Sequence, residues 1–171
     1  KIYNNGCKKL KDAGIEISYF PRILREEIIR DNSKFVEQFN ANPNLNGTVT
    51  FDYTNNNGLY TIGNNELIFE TKWSSAANSK IHAYNDPLTI KTIAIADGNT
   101  EINEIRDGSL YNSSSRTRLI GNGEILVLQN MNGYFAAIKI VDVKYKNGAD
   151  TRHELSFNFQ ILDDKTSNFS K

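Results

Sequence analysis

Apolar and polar positions change their period part of the way along this chain. Up to about residue 40 the spacing is helical. Ile23, Leu24 and Ile28 fall on one side of a helix that Pro21 can open, and Ser33 can cap a second short helix carrying Phe35, Val36 and Phe39. Asn40 to Gly47, with Pro43, reads as a linker. From Thr48 onward the period is two. Val49, Phe51 and Tyr53 share a face, and Leu67, Phe69, Thr71 and Trp73 alternate with Ile68, Glu70, Lys72 and Ser74. With Leu59–Ile62 between them and turns at Asn55–Gly58 and Gly63–Asn65, this stretch predicts a three-stranded meander.

Further strands follow in the C-terminal two thirds. Ile81–Tyr84 is a short one, and Ile90–Ala96 is apolar enough to be buried. Gly123–Gln129, Tyr134–Tyr145 and Leu155–Ile161 are the clearest. In the last of these Leu155, Phe157, Phe159 and Ile161 alternate strictly with Ser156, Asn158 and Gln160, so one of its faces must enter a core. The apolar phase of Tyr134–Tyr145 slips between Ile140 and Val141, which predicts a bulge or bend. Ser109–Arg118, rich in Ser and Arg, reads as a mobile loop. A few helical turns followed by about seven or eight strands predict a mainly β fold, a β-sandwich or barrel over 47–171, with a helical segment over 1–46 packed on it.

Composition narrows the range of functions. Twenty basic and twenty acidic side chains cancel, so no long-range field draws in phosphate or anionic lipid, and nucleic acid would need a local basic patch. No apolar run approaches the ~18 residues of a membrane span, and no leader pattern is visible. Cys7, the single cysteine, forbids an internal disulfide, which fits a cytoplasmic setting.

Two constellations can carry chemistry. Asp52 with Glu70-Thr71-Lys72 has the residue types of a Mg²⁺-dependent nuclease of the PD-(D/E)xK kind: two carboxylates to hold a hard cation and a lysine to polarise the attacking water. The same residues also read as the solvated face of an antiparallel meander, where opposite charges support one another. The second constellation surrounds Ser74–Pro87. Trp73, His82, Tyr84, Asn85 and Asp86 combine aromatic faces with amides and a carboxylate, as a small-molecule or sugar site would. The opposing reading puts Trp73 and Tyr84 in the core and makes Asn85-Asp86-Pro87 a turn. Arg116 and Arg118 offer planar donor forks that suit an anion. His82 and His153 lack metal-ligand partners at short spacing, and there is no nucleophile elbow or phosphate-binding glycine loop.

Several strings taken together, among them Phe51-Asp52-Tyr53, Asn55-Asn56-Asn57-Gly58, Phe69-Glu70-Thr71-Lys72-Trp73-Ser74, Ile81-His82-Ala83-Tyr84-Asn85-Asp86-Pro87, Ser115-Arg116-Thr117-Arg118 and Asn132-Gly133-Tyr134-Phe135, resemble a bacterial β module associated with the C-terminal side of Toll/interleukin-receptor (TIR) domain proteins. The resemblance covers about Thr48 to Ile161 and carries no catalytic residues. It implies a non-catalytic accessory module that senses a small ligand, binds a protein partner or assembles with copies of itself, and needs no cofactor of its own.

Overall fold

The computed structural model describes residues 41–77, 79–146 and 152–171. The fold is mainly β, a sandwich of two five-stranded sheets. One has the order β1 (Ala41–Asn42), β3 (Leu59–Ile62), β4 (Phe69–Ala77), β5 (Lys80–Tyr84), β7 (Thr117–Gly121). The other has the order β2 (Asn46–Phe51), β10 (Glu154–Ile161), β9 (Phe135–Lys144), β8 (Ile125–Asn130), β6 (Ile90–Ile95). Every ladder is antiparallel except the short β1–β3 pair. Among the described residues no helix is long and apolar enough to cross a membrane. The helical reading of 1–40 lies outside the described residues. Within 41–46, expected to belong to that segment, the chain is instead β1 and the start of β2.

Alternation builds the main core. Phe69, Thr71 and Trp73 point inward from β4, and Leu155, Phe157, Phe159 and Ile161 point inward from β10. Phe157 is the hub. The Trp73 ring stacks on it at 5.9 Å between centroids, Tyr60 meets it edge-on at 6.0 Å, and Phe51 and Phe159 complete the cluster. The indole N–H of Trp73 donates to Thr71 Oγ1 at 2.7 Å, and that hydroxyl donates to the Tyr60 carbonyl at 2.8 Å. The polar atoms drawn into the core with these rings are thereby satisfied.

A second core lies on the other face of the β8–β9 sheet. Ile125, Val127, Phe135 and Ala137 pack there with Ile105, Leu162 and Phe169. The C-terminal tail is held over this face by Phe169 N–H donating to the Ile105 carbonyl and Gly108 N–H to the Ser167 carbonyl, both at 2.8 Å. Strand β8 is therefore buried on both faces, and Ile125-Leu126-Val127-Leu128 is a continuous apolar run rather than an alternating one.

The phase slip in β9 is a bulge. Asp142 pairs with Ser156 and Ile140 with Phe157, which leaves Val141 as the extra residue. The meander expected over Thr48–Ser74 is broken at its first turn. Strands β3 and β4 pair as expected, but β2 joins β10 in the other sheet. The Asn55–Gly58 turn is a corner between sheets rather than a hairpin loop, with Asn56, Asn57 and Gly58 all at positive φ. A Cβ on Gly58, at φ +73°, would stand 1.9 Å from the Trp73 carbonyl oxygen. Gly58→Ala should therefore cost at least about 2 kcal/mol of stability, combining the left-handed backbone with the clash. A denaturation midpoint unchanged from the parent would contradict this packing.

Candidate functional site

Inward placement of Trp73 obliges its neighbours Lys72 and Ser74 to face outward from the same sheet. Cross-strand register adds to them. Lys72 lies opposite Tyr84, Ser74 opposite His82, and Tyr84 opposite Thr117 on β7. The β5–β7 ladder runs one bond further, with the Asn85 N–H donating to the Arg116 carbonyl at 3.1 Å. Asp86 and Arg116, thirty positions apart in sequence, thus leave the sheet side by side.

Lys72, Trp73, Ser74, Tyr84, Asp86 and Arg116 line a cleft of about 480 Å³ with Tyr53, Thr54, Asn57, Gly58 and Ser75. Its polar centre is the Asp86–Arg116 pair. Arg116 Nε donates to Asp86 Oδ1 at 2.6 Å and Nη2 to Oδ2 at 2.7 Å, a two-bond fork. Lys72 Nζ approaches Asp86 Oδ2 at 3.5 Å. The guanidinium carbon lies 5.6 Å over the Tyr84 ring, and the Tyr84 hydroxyl shares a 2.8 Å hydrogen bond with Ser74. The Arg116 hydrogen bonds first, then the charges of Arg116 and Lys72, hold the Asp86 carboxyl below the usual carboxylate range, opposed by partial desolvation. Burial raises the Tyr53 phenol above its ordinary value, and its hydroxyl donates to the Lys144 carbonyl at 2.9 Å.

The structure divides the sequence candidates. Tyr84, Asp86 and Arg116 meet in the cleft, together with Lys72 from the other constellation. Trp73 borders the cleft, but its side chain is 1% exposed and committed to Phe157, so its ring is not free to stack on a ligand. His82 sits one step along β5, its ring 6.2 Å from Tyr84, with a buried Nδ1 that has no hydrogen-bond partner among the described residues. Asn85 contributes its backbone to the ladder and does not line the cleft. Arg118 lies in β7, a strand missed in the sequence because Ser109–Arg118 reads as loop. Its guanidinium binds the carbonyls of Ile93 and Asn112, fastening that loop to the facing sheet. His153 packs against Tyr53 and Tyr145.

The strand that precedes Asp52 and the strand that carries Glu70 and Lys72 belong to different sheets. Asp52 follows β2 and closes a local turn, accepting from Thr54 N–H at 2.9 Å and Thr54 Oγ at 2.6 Å. Glu70 and Lys72 share the outer face of β4, and Lys72 turns to Asp86. Among the described residues no three His, Cys, Asp or Glu side chains gather as a metal site would require. The residues missed in sequence, Thr54, Asn57, Ser74 and Ser75, carry small polar side chains. The outward phase of Ser74 was readable from Trp73, but nothing local marks the corner that brings Asn57 alongside.

The fold and cleft define a β-sandwich with a polar, solvent-facing recess on the outside of one sheet. No protein-family model, no curated protein and no solved structure matches this chain.

The depressed Asp86 carboxyl sets a pH dependence. Its contribution to stability is fully present above the ordinary carboxylate range and is lost as pH falls through its own lower value. In a carboxyl-detected NMR titration Asp86 should protonate below typical aspartates, and Arg116→Ala should move it upward. An ordinary midpoint in the parent protein would show that the fork does not persist in solution.

Proposed function

We propose that this chain is a non-catalytic, accessory binding module whose recess between Lys72, Ser74, Tyr84, Asp86 and Arg116 takes a small polar molecule. The carrying observation is the recess itself. Its 480 Å³ lies within the ~300–1,000 Å³ typical of ligand sites. Residues from four separated stretches of chain converge on it, and their orientation is fixed by a two-bond ion pair and an aromatic face. The cleft offers recognition groups and no paired nucleophile and base, which favours binding over turnover. The resemblance to the β module of TIR-type proteins supports an accessory role in the bacterial cytoplasm, in which ligand occupancy is reported to a neighbouring domain.

The test is a ¹⁵N NMR titration of the whole chain with a panel of sugars, nucleotides, amino acids and organic acids. At least one class should shift the amides of Asn57–Gly58, Lys72–Ser75 and Tyr84–Asp86 saturably. Arg116→Ala should weaken that binding about tenfold with the fold intact, because a charge-assisted hydrogen bond is lost. A panel that leaves these amides unmoved, or binding unaffected by Arg116→Ala, contradicts the proposal.

A further inference from the structure

The recess is unbalanced in its hydrogen-bonding groups, and this points to the chemistry of what enters it. A guanidinium carries five N–H donors and an ammonium three. Arg116 uses Nε–H and one Nη2–H on Asp86. Its remaining three N–H groups have no partner among the described residues. Lys72 is engaged by the 3.5 Å approach to Asp86 Oδ2, which is long for a hydrogen bond. On the acceptor side, both Asp86 oxygens are taken by Arg116, and the Ser74 and Tyr84 hydroxyls are paired with each other. Two cations against one carboxylate leave a net positive charge where the chain as a whole is neutral. Glu70 is the nearest acid in sequence on the same face of β4, and it is not among the residues lining the recess.

We infer that the ligand of this recess carries an oxyanion, a phosphate or carboxylate group, bound between Lys72 Nζ and the outward edge of Arg116, with Asp86 as the built-in anion that holds the guanidinium in position. This rests on the ligand-binding reading above and specifies it. Asp86 and the ligand's anionic group face the same two cations. Asp86 therefore aligns the fork and also repels what the fork recruits, so neutralising it without changing its shape should favour the incoming anion. The recess is far larger than a phosphate ion, and Thr54, Asn57 and Ser75 on its remaining wall suit a polar body attached to that group.

The experiment is a ¹⁵N NMR titration of the full chain at low ionic strength with inorganic phosphate, with succinate and with uncharged glucose as separate arms. Phosphate or succinate should shift Lys72–Ser75, Tyr84–Asp86 and Arg116 saturably, and the stronger of the two names the oxyanion. Lys72→Ala and Arg116→Ala should each weaken that response about fivefold or more, and Asp86→Asn should strengthen it about threefold. Thermal melting of each variant confirms that the sandwich is intact. No saturable response to either anion, or a response that survives both cation removals, overturns the inference. So does an Asp86→Asn variant that folds and binds more weakly. Glucose or another neutral compound seated in the recess, with both anions silent, overturns this inference and leaves the ligand-binding reading standing. A recess silent to these probes and to the wider panel removes both.

Discussion

Burial of Trp73 against Phe157 is the contact on which the rest of the molecule depends. It joins the two sheets through their largest rings, and it fixes the phase of β4. With Trp73 inward, Lys72 and Ser74 can only face out, since a slip of one residue would expose the indole and bury an ammonium. The same strand packs its backbone against Gly58, which holds the Asn55–Gly58 corner close to the outward-facing residues. The recess is thus a consequence of core packing: one set of side chains closes the interior, and the alternate set forms a wall.

The outward set is positioned by ladders of differing reach. β4–β5 is local in sequence, whereas β5–β7 brings Arg116 from thirty residues away to Asp86. Arg118, two positions beyond Arg116 and inside the edge strand β7, ties that strand and its loop to β6 of the other sheet. The two arginines of Ser115-Arg116-Thr117-Arg118 therefore have separate roles, because Arg118 lies within β7 opposite the inward-facing Ala83 whereas Arg116 lies just before the strand begins. One faces the recess, and the other closes the seam between sheets.

Much of this was legible in the chain itself. The strict alternation of Leu155–Ile161 announced a one-sided strand, and the slip at Val141 announced a bulge, because both are written in neighbouring side chains. Tyr84, Asp86 and Arg116 were recognisable as a binding vocabulary. What was hidden is non-local. The Asn-rich turn after Tyr53 has the chemistry of a hairpin, yet the partner of β2 is β10, more than a hundred residues away. Strand β7 was masked by the Ser- and Arg-rich composition around it. Trp73 reads equally well as a stacking platform or a core residue until its partner Phe157 is known. Asp52 and Glu70, plausible as a pair on a meander, part when the meander divides between two sheets.

Trp73 is the protein's single tryptophan, so its fluorescence reports on this contact directly. The native emission should be blue-shifted relative to the unfolded chain and shielded from acrylamide, turning solvent-like only when the sandwich unfolds. Solvent-like, readily quenched emission from the folded protein would mean that the indole faces outward, and that the wall of the recess is not built as described.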